Sequence, residues 1–146
     1  MKLSTKGRYG SRAMLDLALN YGKGPILLKD VALRQEISIR YLEQLIAPLK
    51  ASGLVKSSRG SKGGYALSKL PSDIKLSEVI YALEGNIVPV ECVTRPQGCR
   101  RSKNCVTRDV WVDIYKAIHA ILESLTLQDL VNSHFKKQPD SLDYHI

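Results

Sequence analysis

The chain has 146 residues, 44% of them hydrophobic, enough to bury a core in one compact domain or a small domain with an extension. No apolar run approaches the ~20 residues of a membrane span, and the opening MKLSTKGRYG lacks an apolar signal core, so a cytoplasmic protein with no membrane partner is expected. The formal net charge is +8, with 13 Lys/Arg against 4 Asp/Glu over residues 1–70 and 9 against 10 over 71–146; the basic half suits a polyanion, nucleic acid first, and a solvated basic face is the plain alternative.

STKGRYGSRAMLDLALNYG (4–22) has a helical rhythm, with Ala13, Leu15, Leu17, Ala18 and Leu19 as its apolar surface and Gly22 as a stop. GKGP (22–25) reads as a turn. LLKDVALRQE (27–36) predicts a short helix with Leu28, Val31 and Ala32 inward. ISIRYLEQLIAPLKASG (37–53) predicts the next. Ser38 is its N-cap, and Ile37 and Leu42 are placed as a hydrophobic staple. Leu42, Leu45, Ile46 and Leu49 form the buried stripe, and Gly53 ends it. The Pro48 ring opposes the Gln44 carbonyl, so a kink or break is expected there. LVKSS (54–58) and YALSK (65–69) predict two short strands joined by the basic loop RGSKGG (59–64). Two short helices followed by a hairpin with a basic tip is the order of a winged helix-turn-helix.

KLSEVIYALEG (75–85) is another amphipathic helix, with Leu76, Val79, Ile80 and Leu83 on one side. Pro89, Pro96 and Gly98 make the following segment a loop. VTRDVWVDIYKAIHAILESL (106–125) is the longest periodic stretch. Val110, Ile114, Ile118, Ile121 and Leu125 form its stripe, widened by Trp111, Ala117 and Leu122. Such a stripe packs on its own domain or across a two-fold onto a second copy; palindromic operators are commonly read by dimers, which favours the second. TLQDLVNSHF adds a short helix capped by Thr126. The expected fold is mainly α: a winged helix-turn-helix with a two-stranded wing and a long C-terminal dimerisation helix. The expected organisation is a DNA-binding domain over 1–86, a cysteine-containing loop over 87–107, the dimerisation helix and a short following helix over 108–135, and a tail over 136–146.

The helix after Ser38 offers Ser38, Arg40, Tyr41, Glu43 and Gln44 to a DNA groove. Arg40 can bond a guanine edge twice or clamp a phosphate. Glu43 can accept from cytosine N4 and repels most other base edges, which suits exclusion of wrong sequences. In SSRGSKGGY, Arg59 and Lys62 stand among glycines that allow close backbone approach, and a single arginine can enter a narrow minor groove. The run lacks the order of a phosphate-binding loop. No metal-water motif, nucleophile elbow or paired catalytic carboxylates occur, so no enzyme is expected.

All three cysteines lie in CVTRPQGCRRSKNC, as Cys92, Cys99 and Cys105. An odd number in a reducing compartment disfavours a disulfide framework. The C-x6-C-x5-C spacing is wider than the C-x2-4-C knuckle of zinc sites and suits a larger object, an iron–sulfur cluster on soft thiolates. Arg95, Arg100, Arg101, Lys103 and Arg108 surround the thiols, with no acid between Glu91 and Asp109. Such cations favour thiolates and offset a cluster's charge.

STKGRYG…AMLDLALN, ISIRYLEQL, GLVKSSRGSKGGYAL, LSEVI and CVTRDVW together resemble signatures of the iron–sulfur cluster regulator family. These are dimeric winged-helix transcription factors of IscR-like and nitric-oxide-sensing NsrR-like types. The resemblance spans nearly the whole chain and is closest to the IscR-like type. It implies a cytoplasmic homodimer that binds a double-stranded DNA operator, senses iron–sulfur cluster status and controls iron–sulfur assembly or stress genes. It also implies Cys92, Cys99 and Cys105 as ligands of a cluster, [2Fe–2S] favoured over [4Fe–4S], and Tyr9, Ser38, Arg40, Glu43, Arg59 and Gly60 as DNA-binding residues. A nitric-oxide sensor, or a thiol-redox or zinc sensor of the same fold, is the alternative. The pattern departs where IscR-like members carry a histidine three residues after the third cysteine; Arg108 stands there and cannot ligate. Arg8 stands where NsrR-like members carry an aspartate. The fourth ligand is then open among solvent or a small thiol, Asp109, Glu91 and a residue of the partner subunit. Pro48 in the recognition helix and Glu36, where a glycine often sits in the turn, are further departures.

Overall fold

A computed structural model describes residues 2–138. Ser4 opens the first helix, its hydroxyl accepting from the Lys6 N–H at 3.1 Å, and α1 runs Thr5–Leu19. It gives Ala13, Met14, Leu17 and Ala18 to the core, and Asp16 on the same face is only 2% exposed. The Asp16 carboxylate accepts from Arg34 at 2.7 and 3.0 Å and from Gln35 at 3.0 Å. This satisfied ion pair pins α1 to α2, Leu28–Gln35, and a buried carboxylate persists only with such partners.

Glu36 ends α2 in the left-handed region, at φ 55° and ψ 45°. The turn leads into α3, Ile39–Ala51, capped by the Ser38 hydroxyl, which accepts from the Tyr41 N–H at 3.1 Å. The staple pair Ile37 and Leu42 is buried, with Leu45, Ile46 and Leu49. No break occurs at Pro48: α3 runs through it. The proline falls in the last turn, and the carbonyl it leaves without a helical partner belongs to exposed Gln44, within reach of water.

Strands β1, Val55–Ser58, and β2, Gly64–Leu67, pair antiparallel, with Val55 opposite Leu67 and Ser58 opposite Gly64. Ile26 adds a further bridge to Tyr65 through two hydrogen bonds of 2.8 Å. The segment between α1 and α2 thus steadies β2 near the loop end of the wing. Gly64 is required here: at φ 148°, a Cβ would lie 2.5 Å from the Ile26 carbonyl oxygen.

Helix α4, Leu76–Glu84, buries Val79, Ile80 and Leu83 and packs against α1. The cysteine segment follows, with two 3-10 turns, Glu91–Val93 and Pro96–Gly98. Helix α5, Val106–Ser124, contains no buried residue in the single chain. Helix α6, Leu127–Lys137, starts with a Thr126–Asp129 capping box and returns Leu127 and Val131 to the core beside α1. Hydrogen bonds from Leu76 N–H to the Leu125 carbonyl (2.8 Å) and from Leu127 N–H to the Ile74 carbonyl (3.0 Å) tie the α5–α6 joint to the start of α4. The architecture is the mainly α winged helix-turn-helix that the sequence predicts. Of the expected tail, residues beyond 138 lie outside the described residues. Among the described residues, no helix is long and apolar enough to cross a membrane.

Candidate nucleic-acid interface and cysteine loop

The start of α1 and the first turn of α3 form one surface. The Tyr9 and Tyr41 rings meet edge to face, 6.0 Å between centroids and 87° between planes. The Tyr41 hydroxyl donates to Thr5 Oγ1 at 2.9 Å. Tyr41, offered by the sequence to a groove, is therefore turned toward α1. Arg12 and Arg8 lie over the Tyr9 ring at 5.3 and 5.9 Å, and Arg12 also donates to the Gln35 side-chain oxygen at 3.4 Å and to its carbonyl. Arg40 and Glu43 are exposed on α3, and Arg59 and Gly60 are exposed at the wing tip. Ser38 is committed as an acceptor to the helix cap. The sequence pattern did not single out Arg8 and Arg12 for this surface; the i,i+4 spacing of Arg8 and Arg12 and the i,i+3 spacing of Tyr9 and Arg12 were the available signal.

The three cysteines are free thiols. Cys92 sits in the first 3-10 turn, Cys99 caps the end of the second, and Cys105 is the N-cap residue of α5. Cys92 and Cys99 line one cavity of about 310 Å³ with Glu91 and Arg95. Cys105 lines another, of about 440 Å³, with Arg100, Arg101 and Asn104. Its sulfur lies 3.2 Å from Thr107 Oγ1. That hydroxyl first, then backbone N–H groups at the start of α5 and the Arg101 charge, hold the thiol below its ordinary pKa against the opposing effect of burial.

Helix α5 grips both ends of the segment from 86 to 93. Arg108 Nε donates to the Cys92 carbonyl at 3.1 Å and its Nη2 to the Val93 carbonyl at 3.5 Å. Arg108 is thus a strap for the loop. The Tyr115 hydroxyl and the Asn86 side-chain amide lie within 3.1 Å, and His119 Nε2 meets the Ile87 carbonyl at 3.2 Å. His119 Nδ1 meets the Tyr81 hydroxyl on α4.

In kind, these residues fit a thiolate-held iron–sulfur cluster: three soft free thiols with cations around them. Ser102 Oγ, between Cys99 and Cys105, is shielded from solvent with no hydrogen-bond partner among the described residues, a spare donor for a sulfide or thiolate. In placement the thiols are divided between two cavities, and among the described residues no three His, Cys, Asp or Glu side chains converge on one point.

The Rrf2 family model, described as an iron-dependent transcriptional regulator, matches residues 3–133. The transcriptional regulator IscR of Photorhabdus laumondii is 44% identical over 133 residues, covering 91% of this chain and 80% of the relative. Among solved structures, CymR of B. subtilis, described as the global cysteine regulator, matches with a TM-score of 0.79 and 43% identity over 91% of this chain and 98% of that one. T. potens IscR matches with a TM-score of 0.78 and 41% identity over 99% of this chain and 96% of that one. A winged helix-turn-helix with an exposed basic reading face, matched along nearly its whole length by regulators, is a transcriptional regulator and not an enzyme; the chain belongs to the Rrf2 family.

Proposed function

We propose that the protein is a homodimeric repressor that binds a palindromic double-stranded operator, in the cytoplasm, and senses iron–sulfur cluster status through Cys92, Cys99 and Cys105. Its targets are iron–sulfur assembly or stress genes. One observation carries this reading: Cys105 is at once a candidate ligand and the N-cap residue of α5. Helix α5 has no fully buried residue in the single chain and leaves Val110 and Ile121 of its apolar stripe exposed, as a two-fold partner helix would, so any constraint on Cys105 acts on the element that spaces the two α3 helices.

On the DNA side, Arg40 reads a guanine edge or a phosphate, and Glu43 rejects unsuitable bases. Arg59 enters the minor groove, where Gly60 permits close approach, and Tyr9 and Ser38 border the same face. On the loop side, the bound cluster, [2Fe–2S] favoured over [4Fe–4S], supplies oxidant-sensitive redox chemistry. The three thiolates hold it, and Arg95, Arg100, Arg101 and Lys103 balance its charge. Arg108 is engaged with two loop carbonyls and leaves the fourth position to an exchangeable or borrowed ligand.

Iron analysis and a visible spectrum after anaerobic purification test this. Iron should co-purify with wild type and be lost in Cys92→Ala, Cys99→Ala and Cys105→Ala, while Arg108→His should slow its loss in air, because imidazole is a competent ligand. Full iron in any cysteine variant overturns the three-thiolate site. The division of the thiols between two cavities favours a second reading, a thiol-redox sensor. Iron-free protein whose DNA binding changes on disulfide oxidation would establish that reading instead.

A further inference from the structure

We infer that Glu84 is a positioning residue for the DNA-reading helix α3, acting through the first turn of α1; the inference rests on the DNA-binding reading above. Glu84 is the last residue of α4. Its Oε1 accepts from the Gly7 N–H at 2.8 Å and from the Ser4 hydroxyl. A carboxylate from a different helix thus satisfies a free donor in the first turn of α1, where backbone N–H groups and the helix dipole favour negative charge. Burial works to raise the Glu84 carboxyl, but the bonds from Ser4 and Gly7 and the nearby Lys6 charge outweigh it and hold the group below its usual range.

The sequence of α1 is adapted to this contact. A Cβ at Gly7 would lie 3.0 Å from Glu84 Oε1 and 3.2 Å from its Cγ, and one at Gly10 would run into the Leu83 side chain. A glycine inside a helix is less favourable than an alanine, because its backbone loses more freedom on folding. Two of them one turn apart gain nothing for α1 alone; they admit the end of α4.

The turn that Glu84 caps also holds α3. Thr5 accepts the Tyr41 hydroxyl at 2.9 Å, and Tyr9 packs against the Tyr41 ring. Tyr41 lies in the first turn of α3, next to Arg40, with its N–H bonded to Ser38. Direct contacts therefore run from Glu84 through Ser4 and Gly7 to Thr5 and Tyr9, then to Tyr41 and the residues that face DNA. On its other side Glu84 adjoins the root of the cysteine loop, where Tyr115 and His119 hold Asn86 and Ile87.

The test uses a duplex selected by the wild-type protein from a random pool, with an unrelated duplex as control. Glu84→Ala should bind the selected duplex about ten-fold more weakly and the unrelated duplex no more weakly, since loss of an acid does not reduce long-range attraction. Glu84→Gln keeps an acceptor oxygen and should recover most of the loss. Thr5→Val removes the acceptor of Tyr41; added to Glu84→Ala it should cost little more, because both break one path. Wild-type discrimination in Glu84→Ala, or full additivity in the double variant, overturns the inference. Should circular dichroism show that Glu84→Ala does not fold, Gly7→Ala, which crowds the carboxylate without removing it, must show the same selective loss, and its absence overturns the inference. A wild-type protein that selects no duplex overturns the DNA-binding reading, and this inference with it.

Discussion

Arg59 stands exposed at the wing tip beside Gly60, whose φ of 99° suits a glycine. One good groove contact is worth about 1–3 kcal/mol, so Arg59→Ala should weaken operator binding by that amount in a fluorescence anisotropy titration, and Arg40→Ala likewise at particular bases. Two variants that bind as wild type would refute the assignment of these faces. Glu36 is the only non-glycine with positive φ among the described residues. A left-handed residue with a Cβ is strained by about 1–2 kcal/mol, partly offset by the extra freedom of glycine in the unfolded chain. Glu36→Gly should therefore stabilise the fold by about 0.5–1 kcal/mol, read from urea midpoints. Glu36 was legible as a departure from a glycine, but only the backbone shows what the departure costs. In the sequence Arg108 is legible as one of the cations around the thiols and as a non-ligand; its bonds to the Cys92 and Val93 carbonyls add a structural role.

Helix α1 is held to its neighbours by two carboxylates that its apolar periodicity does not reveal. Asp16 binds Arg34 and Gln35 across the α1–α2 contact at 2% exposure. Asp16→Asn keeps the shape and removes the charge. Because Arg34 is half exposed and can be rehydrated, the cost should be about 1–3 kcal/mol, checked by chemical denaturation. A smaller loss would mean that Arg34 already finds enough water in the native state. At the α1–α4 joint, the folded Glu84 carboxyl titrates below its unfolded value. Its contribution is therefore complete above the ordinary carboxylate pKa of about 4.3 and disappears as pH falls through the lower folded value. The stability gap between wild type and Glu84→Gln should shrink on going from pH 7 to pH 3, and a gap that widens would contradict the assignment.

At the scale of the molecule, α5 has one side leaning on α4 and another left to solvent. Ile114 and Ile118 are half-buried, whereas Val106, Val110 and Ile121 are 78%, 49% and 59% exposed. Exposed aliphatic residues repeating along a 19-residue helix suit a second copy of the chain. Ile121→Asp should yield monomers in sedimentation equilibrium, with operator affinity reduced because two half-sites are no longer engaged together. A dimer of undiminished strength would move the interface elsewhere.

By itself, the sequence determined what is local. Helix periods, the Ser38 and Thr126 caps, the glycine-rich wing and the single segment holding every cysteine depend on residues within a turn or two of one another, so they leave a periodic or clustered trace. No break forms at Pro48, because a proline's cost depends on its distance from the helix end and on solvent at the freed carbonyl, and a sequence period reports neither. The tertiary structure alone decided the pairings of distant groups: Asp16 with Arg34, 18 residues apart, Arg108 with Cys92, 16 apart, Glu84 with Gly7, 77 apart, and Ile26 with Tyr65. Each rests on one or two hydrogen bonds, made by charged side chains or by backbone groups that every residue type carries. A donor and an acceptor far apart in the chain become partners only once the core has brought their helices or strands together, so no pattern along the chain records them.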